Sequence, residues 1–164
     1  MSSQLKNLSD YHLPEKPDLH TAKIAVIVSS WNKDVTEALY DGCSRTLADL
    51  SVKKKNLLRI DVPGSFELPV AAKLLMESKR MDAVICLGCV IQGETRHFDF
   101  ICDAVAHGIM ELNLRYSTPV IFGVLTTHDL QQAMERAGGK HGNKGTEAAV
   151  TAAKMILLKR KLLK

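Results

Sequence analysis

The densest concentration of reactive side chains lies at Cys89-Val90-Ile91-Gln92-Gly93-Glu94-Thr95-Arg96-His97. Gly93 and the polar residues after it separate an apolar run from a helical pattern, with Thr95 placed as an N-cap. Backbone N–H groups at such a helix start form a ready anion site. An imidazole beside them can serve as general acid or base near neutral pH. The residues alone leave His97 equally open to a bland role, capping the helix or facing water. Arg96 at the same point is as well suited to solvent as to an anion.

Three further clusters carry candidate chemistry. Ser30-Trp31-Asn32 holds the one tryptophan of the chain, either a packing residue or a stacking plate for a planar heterocycle. Val62-Pro63-Gly64-Ser65-Phe66-Glu67 makes a tight exit from a strand into a helix start, where Ser65 is a plausible N-cap. Free N–H groups there suit ligand acceptors, and Glu67 in a first turn is favoured by the helix dipole in any case. Arg136-Ala137-Gly138-Gly139-Lys140-His141-Gly142-Asn143-Lys144-Gly145 is basic and glycine-rich, which suits a phosphate. It fails the P-loop spacing and reads otherwise as a flexible helix-to-helix turn with Gly138 as C-cap.

Other patterns fall away. Cys86 and Cys89 have redox-motif spacing, but along a strand such residues point to opposite faces, and the helix N-terminus that activates such thiols is missing. The histidines and cysteines show neither His-Glu-x-x-His nor zinc-finger spacing. No Gly-x-Gly-x-x-Gly follows the first strand. The runs Lys53-Lys54-Lys55 and Lys159-Arg160-Lys161 read as solvated helix ends.

The elements that must position these clusters alternate in type. Ala22–Ser29 is a short, nearly continuous apolar run, as in a strand buried on both faces, and Leu57–Val62, Asp82–Val90 and Val120–Leu125 read as three further strands. Val35–Leu50, Phe66–Ser78, His97–Tyr116, Leu130–Ala137 and Thr146–Lys161 carry helical spacing. This β-α alternation predicts a three-layer α/β/α fold with a four-stranded parallel sheet, and we expect a flavodoxin-like order. Ligands bind such sheets beyond the carboxyl ends of the strands, where the first three clusters fall.

Composition bounds the remainder. The chain has 164 residues, 46% hydrophobic and 24% charged, with a formal net charge of +4. That matches one globular domain, read as 21–164, behind a polar arm at 1–20 containing Pro14 and Pro17. The mild charge and 5% aromatic content argue against a nucleic-acid partner. No apolar run approaches a membrane span, and Met1–Asp18 lacks the apolar centre of a signal peptide. The expected location is cytoplasmic, with cysteines serving as small buried hydrophobes.

From about Ala22 to Lys159 the chain resembles the lumazine synthase family. The resemblance rests on Val62-Pro63-Gly64-Ser65-Phe66-Glu67-Leu68-Pro69, on Leu87 through Phe98, on Pro119-Val120-Ile121-Phe122-Gly123-Val124-Leu125-Thr126-Thr127, and on Glu135-Arg136-Ala137-Gly138 with Gly142-Asn143-Lys144-Gly145. It implies condensation of 5-amino-6-(D-ribitylamino)uracil with 3,4-dihydroxy-2-butanone 4-phosphate, without metal or organic cofactor. By the same resemblance Trp31 stacks on the pyrimidine, where many members have Phe. Ser65, Phe66 and Glu67 hold the pyrimidine and ribityl chain, and Cys89, Val90 and Ile91 line the ring. Glu94 and Thr95 meet the phosphate through their backbone, and His97 transfers protons. Phe122, Arg136 and Lys144 come from an adjacent subunit, Arg136 gripping the phosphate. Gln92 stands where a basic residue is frequent in the family.

The resemblance also implies a homo-oligomer, a pentamer or twelve pentamers in an icosahedral shell, with riboflavin synthase as a partner. The short Ala137–Gly145 turn favours the shell, and the arm suits a neighbour's sheet edge. Alternatives on the same fold are a flavin- or lumazine-binding protein, which would not need His97 or Arg136, and a shell protein with a lapsed site. A phosphate-responsive receiver would need acidic residues that Ser29-Ser30-Trp31-Asn32 does not supply.

Overall fold

The computed structural model describes residues 18–163. The arm expected at 1–20 lies outside them except for its last positions, where Leu19 is packed in the core. The elements are β1 (Ile24–Ser29), α1 (Lys33–Asp49), β2 (Leu57–Val62), α2 (Leu68–Ser78), β3 (Ala83–Ile91), α3 (His97–Arg115), β4 (Val120–Thr127), α4 (Leu130–Glu135), β5 (Ala137–Gly139), β6 (Gly142–Asn143) and α5 (Lys144–Leu162). β1 to β4 form one parallel sheet in the order β2-β1-β3-β4. That is the expected flavodoxin-like arrangement.

Strand periodicity explains the two cores. On one face Ile24, Val26 and Val28 of β1 meet Val35, Leu39, Cys43 and Leu47 of α1, together with Ala148, Ala149, Ala152, Ala153 and Ile156 of α5. On the other, Ala25 and Ile27 meet Leu68, Ala72 and Leu75 of α2 and Val105, Ile109 and Leu112 of α3. Alternate residues along a strand point to opposite faces, so a strand buried on both faces is apolar throughout. Each large aliphatic side chain so buried is worth roughly 1.5–3 kcal/mol. Cys86 and Cys89 divide between the two cores, as strand geometry requires.

The α1–α5 contact is the tightest. A Cβ on Gly145 would stand 1.8 Å from the Leu39 carbonyl oxygen, and one on Gly42 would stand 2.5 Å from Asn143. Asn143 fills the remaining space. Its Nδ2 donates to the carbonyls of Ala38 at 2.9 Å and Ala137 at 3.1 Å. Its Oδ1 caps α5, accepting from Gly145 N at 2.8 Å and Thr146 N at 3.2 Å.

Several local expectations change. Ser65 does not cap a helix; Ser65–Glu67 is a 3₁₀ turn, and α2 begins at Leu68 with Pro69 in its first turn. Glu67 takes over the capping work, accepting from Gly64 N at 2.8 Å. The cap of α3 is Arg96, with Thr95 Oγ1 3.4 Å from His97 N. The stretch after α4 is an antiparallel hairpin, β5 with β6, rather than a flexible turn. Gly138 is no C-cap: α4 closes at Arg136, and Gly138 sits in the hairpin with φ +120°, a conformation open to glycine. Lys54–Asn56 forms its own short 3₁₀ turn ahead of β2.

The α1–α5 contact yields a stability test. Gly145→Ala forces Cβ into the Leu39 carbonyl, beyond ordinary overpacking, and should cost about 3 kcal/mol or more. Urea unfolding of both proteins reads this as a lower midpoint; an unchanged midpoint would show that the helices separate freely.

Candidate active site

The carboxyl ends of β1, β2 and β3 open into a cavity of about 390 Å³. Its lining includes Trp31, Ser65, Phe66, Cys89, Val90, Ile91, Thr95 and His97. The first cluster is held by ladder bonds that continue past the strands: Ser30 N donates to Val62 O at 2.8 Å and Trp31 N to Pro63 O at 3.1 Å. Trp31 is 72% exposed and Phe66 is also exposed, so both aromatics stand at the mouth. Cys89 and Ser65 are buried at the base. His97 is the first residue of α3 and is exposed at the cavity wall.

Other residues of the cavity had no role assigned to them from the sequence. Asn32 has φ +56° and ψ +50°, the left-handed conformation that Asn tolerates better than most residues. Its Nδ2 donates to Cys89 O at 3.0 Å, tying the β1 loop to the end of β3. A polar residue after Trp31 was the available signal, and the turn conformation was not readable from it. Phe98 and Ile101 add an apolar wall from the first turns of α3; in the sequence they were indistinguishable from core positions.

The buried hydroxyl of Ser65 has no hydrogen-bond partner, alone in that respect among side chains of the described residues. A Cβ on Gly88 would stand 2.5 Å from it. Leaving such a group unpaired is costly, and Ser65 is among the residues that line the cavity. Glu67 is not part of the lining, because its carboxylate is turned to Gly64 N. Glu94 lies exposed in the loop beside the cavity.

Phe122, Arg136 and Lys144 are not brought to this cavity. Phe122 lies on β4 at the edge of the sheet, 36% exposed. It lines a separate groove of about 540 Å³ with Lys144 and Glu147. Glu147 joins the cations: Arg136 Nη2 lies 3.2 Å from Oε1, and Lys144 Nζ 3.1 Å from Oε2. Its side chain is only 10% exposed. The one sequence signal for Glu147 was its spacing from Lys144 in the first turn of a helix.

Three of the four cysteines are buried, as expected of small hydrophobes, and Cys102 on α3 is only half-buried. Burial pushes Cys43 and Cys86 up to about 12 and Cys89 up to about 11. Cys89 is therefore a wall and not a nucleophile. Among the described residues no cluster of three His, Cys, Asp or Glu side chains suits a metal ion, and no helix is long and apolar enough to cross a membrane.

Residues 21–160 match the family model described as 6,7-dimethyl-8-ribityllumazine synthase. Proteins of that name are similar over nearly their whole length. The one from Cytophaga hutchinsonii is 56% identical over 95% of this chain and 98% of its own. The one from Parabacteroides distasonis is 51% identical over 95% and 98%. The one from Porphyromonas gingivalis is 50% identical over 98% and 99%.

Thiol burial is checked by alkylation. Iodoacetamide at about pH 8 should leave Cys43, Cys86 and Cys89 unmodified in the folded protein, where the thiolate fraction is small, and modify them after denaturation. Rapid labelling of native Cys89, read by peptide mass spectrometry, would restore it as a candidate nucleophile.

Proposed function

The chain belongs to the 6,7-dimethyl-8-ribityllumazine synthase family, and on that premise we infer how its residues divide the work. It is a transferase of riboflavin biosynthesis, condensing 5-amino-6-(D-ribitylamino)uracil with 3,4-dihydroxy-2-butanone 4-phosphate to give the lumazine, phosphate and two molecules of water. The substrate amine is itself the nucleophile. Its lone pair attacks the ketone carbon and the carbonyl oxygen leaves as one water. Loss of a proton from the neighbouring carbinol carbon expels the phosphate with its ester oxygen. The enol left behind becomes a ketone, and the ribitylamino nitrogen closes the ring on that carbon with release of a second water. The protein's work is to hold two molecules together and to move protons. Holding alone can supply about 7–11 kcal/mol.

In the proposed assignment Trp31 and Phe66 stack on the pyrimidine at the mouth. The Ser65 hydroxyl and the backbone around Glu67 meet the polar edge and ribityl chain, over a wall of Cys89, Val90 and Ile91. The N–H groups at Glu94 and Thr95, in the loop ahead of the cap of α3, hold the phosphate. His97 transfers the protons of imine formation and phosphate loss. Phe122, Arg136 and Lys144 serve the cavity of a second copy, Arg136 on the phosphate. The observation that carries this reading is the division of the residues: one set lines or borders the cavity, and the other lies in or beside the β4-edge groove.

We further propose that residues 21–164 act as one domain in a cytoplasmic pentamer. Twelve pentamers close into an icosahedral shell, with riboflavin synthase as a partner. The hairpin between α4 and α5 is tight, β5 and β6 being separated only by Lys140 and His141, which leaves no insertion to block closure. Sedimentation of the purified protein should show the shell, and a population of pentamers alone would overturn that assembly.

The divided site has its own test. His97→Ala should lower kcat by about 10²-fold, the low end of general acid–base catalysis, because positioning survives. Arg136→Ala should raise KM for the phosphate substrate. Co-expressing the two variants at equal levels should restore about a quarter of the sites, by random pairing around a ring. No recovery in the mixed assemblies would place His97 and Arg136 in the same chain's site.

A further inference from the structure

The loop that opens α3 has few anchors. Gly93 has open space around it, and Glu94, Thr95 and Arg96 are exposed. Its root is held at Gln92. Ile91 and Thr127 are the last pair of the β3–β4 ladder, and Gln92 N continues it by donating to Thr127 O at 2.9 Å. His128, the next residue of that chain, donates from Nδ1 to Gln92 Oε1 at 2.5 Å. His128 is itself fixed. Its backbone N–H donates to Gln132 Oε1 at 3.1 Å, and Asp129 Oδ1 caps α4 by accepting from Gln132 N at 2.8 Å. Hydrogen bonds thus run without a break from the first turn of α4 to the residue before Gly93.

We propose that His128 is a positioning residue for the phosphate-holding loop, acting through Gln92. This rests on the assignment of the phosphate to the Glu94 and Thr95 backbone. His128 touches no substrate. It removes freedom from the root of a loop whose N–H groups must converge on one anion, and an ordered loop loses less entropy when the anion binds. Without the imidazole, Gln92 keeps its backbone bond to β4 while its side chain is free, and the N–H groups after Gly93 spread over more arrangements.

The test is steady-state kinetics on the full-length protein with His128→Ala, His128→Asn, Gln92→Ala and the double Ala variant. His128→Ala should raise KM for the butanone phosphate about three- to tenfold, the worth of one hydrogen bond. KM for the pyrimidine should stay within about twofold, since a positioning effect confined to one loop does not reach the stacking plate. The double variant should be no worse than either single, because both remove the same bond. His128→Asn should recover most of the loss, its amide N–H taking the place of Nδ1–H. Equal rises in both KM values, additive single effects or no change would each overturn the proposal. Both residues are exposed, so the variants should fold, and unchanged thermal midpoints check this. A wild-type protein without synthase activity would defeat the site assignment instead. Titration calorimetry with inorganic phosphate would then decide on His128: weaker binding by His128→Ala supports the role, and equal binding overturns it.

Discussion

The structure depends on one strand. All six residues of β1 are buried, and β1 is paired on both edges, to β2 and β3. Such a strand takes apolar side chains almost throughout, with polar Ser29 only at its carboxyl end, and its parallel neighbours must be reached by crossovers that lay helices on both faces. Parallel pairing also gives the strands a common carboxyl edge. Trp31, Ser65 and Cys89 are far apart in sequence, yet each lies at or just beyond the carboxyl end of β1, β2 or β3. The cavity is therefore a product of sheet direction, and no residue of it has to be brought there by a long loop.

The second constraint is the close approach of α1 and α5. Gly42 and Gly145 let the helix backbones meet, and Asn143 bonds α1, the hairpin and α5 at once. Those bonds fix the path of the chain from Arg136 to Lys144. Arg136 is held against Glu147, with its Nη1 also donating to His141 O at 3.2 Å. A cation on a flexible turn would sample many directions. Here the hairpin and the half-buried carboxylate leave one.

Much of this was legible in the sequence, for reasons that can be named. Strands such as Ile24–Ser29 and Ala83–Ile91 announce themselves because burial on both faces demands a nearly unbroken apolar run. His97 opens α3 where the polar loop ends and helical periodicity begins. Capping was less legible. Ser65 has the right residue type for a cap, but Glu67 reaches back to Gly64 and claims that place. The hairpin Ala137–Asn143 was missed because its strands carry no hydrophobic alternation; Asn143 and the positive φ of Gly138 hold it. Glu147 showed only its spacing from Lys144, for a similar reason: its other partner Arg136 precedes a hairpin whose closure sequence periodicity does not report.

The placement of Glu147 bears on how a divided site can work. Two cations share one carboxylate of which little reaches solvent, so the cluster keeps a net positive charge while neither side chain is free to wander. Ordering a long basic side chain costs entropy each time an anion binds, and Glu147 meets that cost during folding. The same carboxylate also competes with an incoming phosphate for the guanidinium. A loop N-terminus on one copy and a restrained cation on the next would share the phosphate, each weak alone. On the assignment proposed above, binding of that substrate would thus depend on the contact between copies, and assembly would become a condition of chemistry.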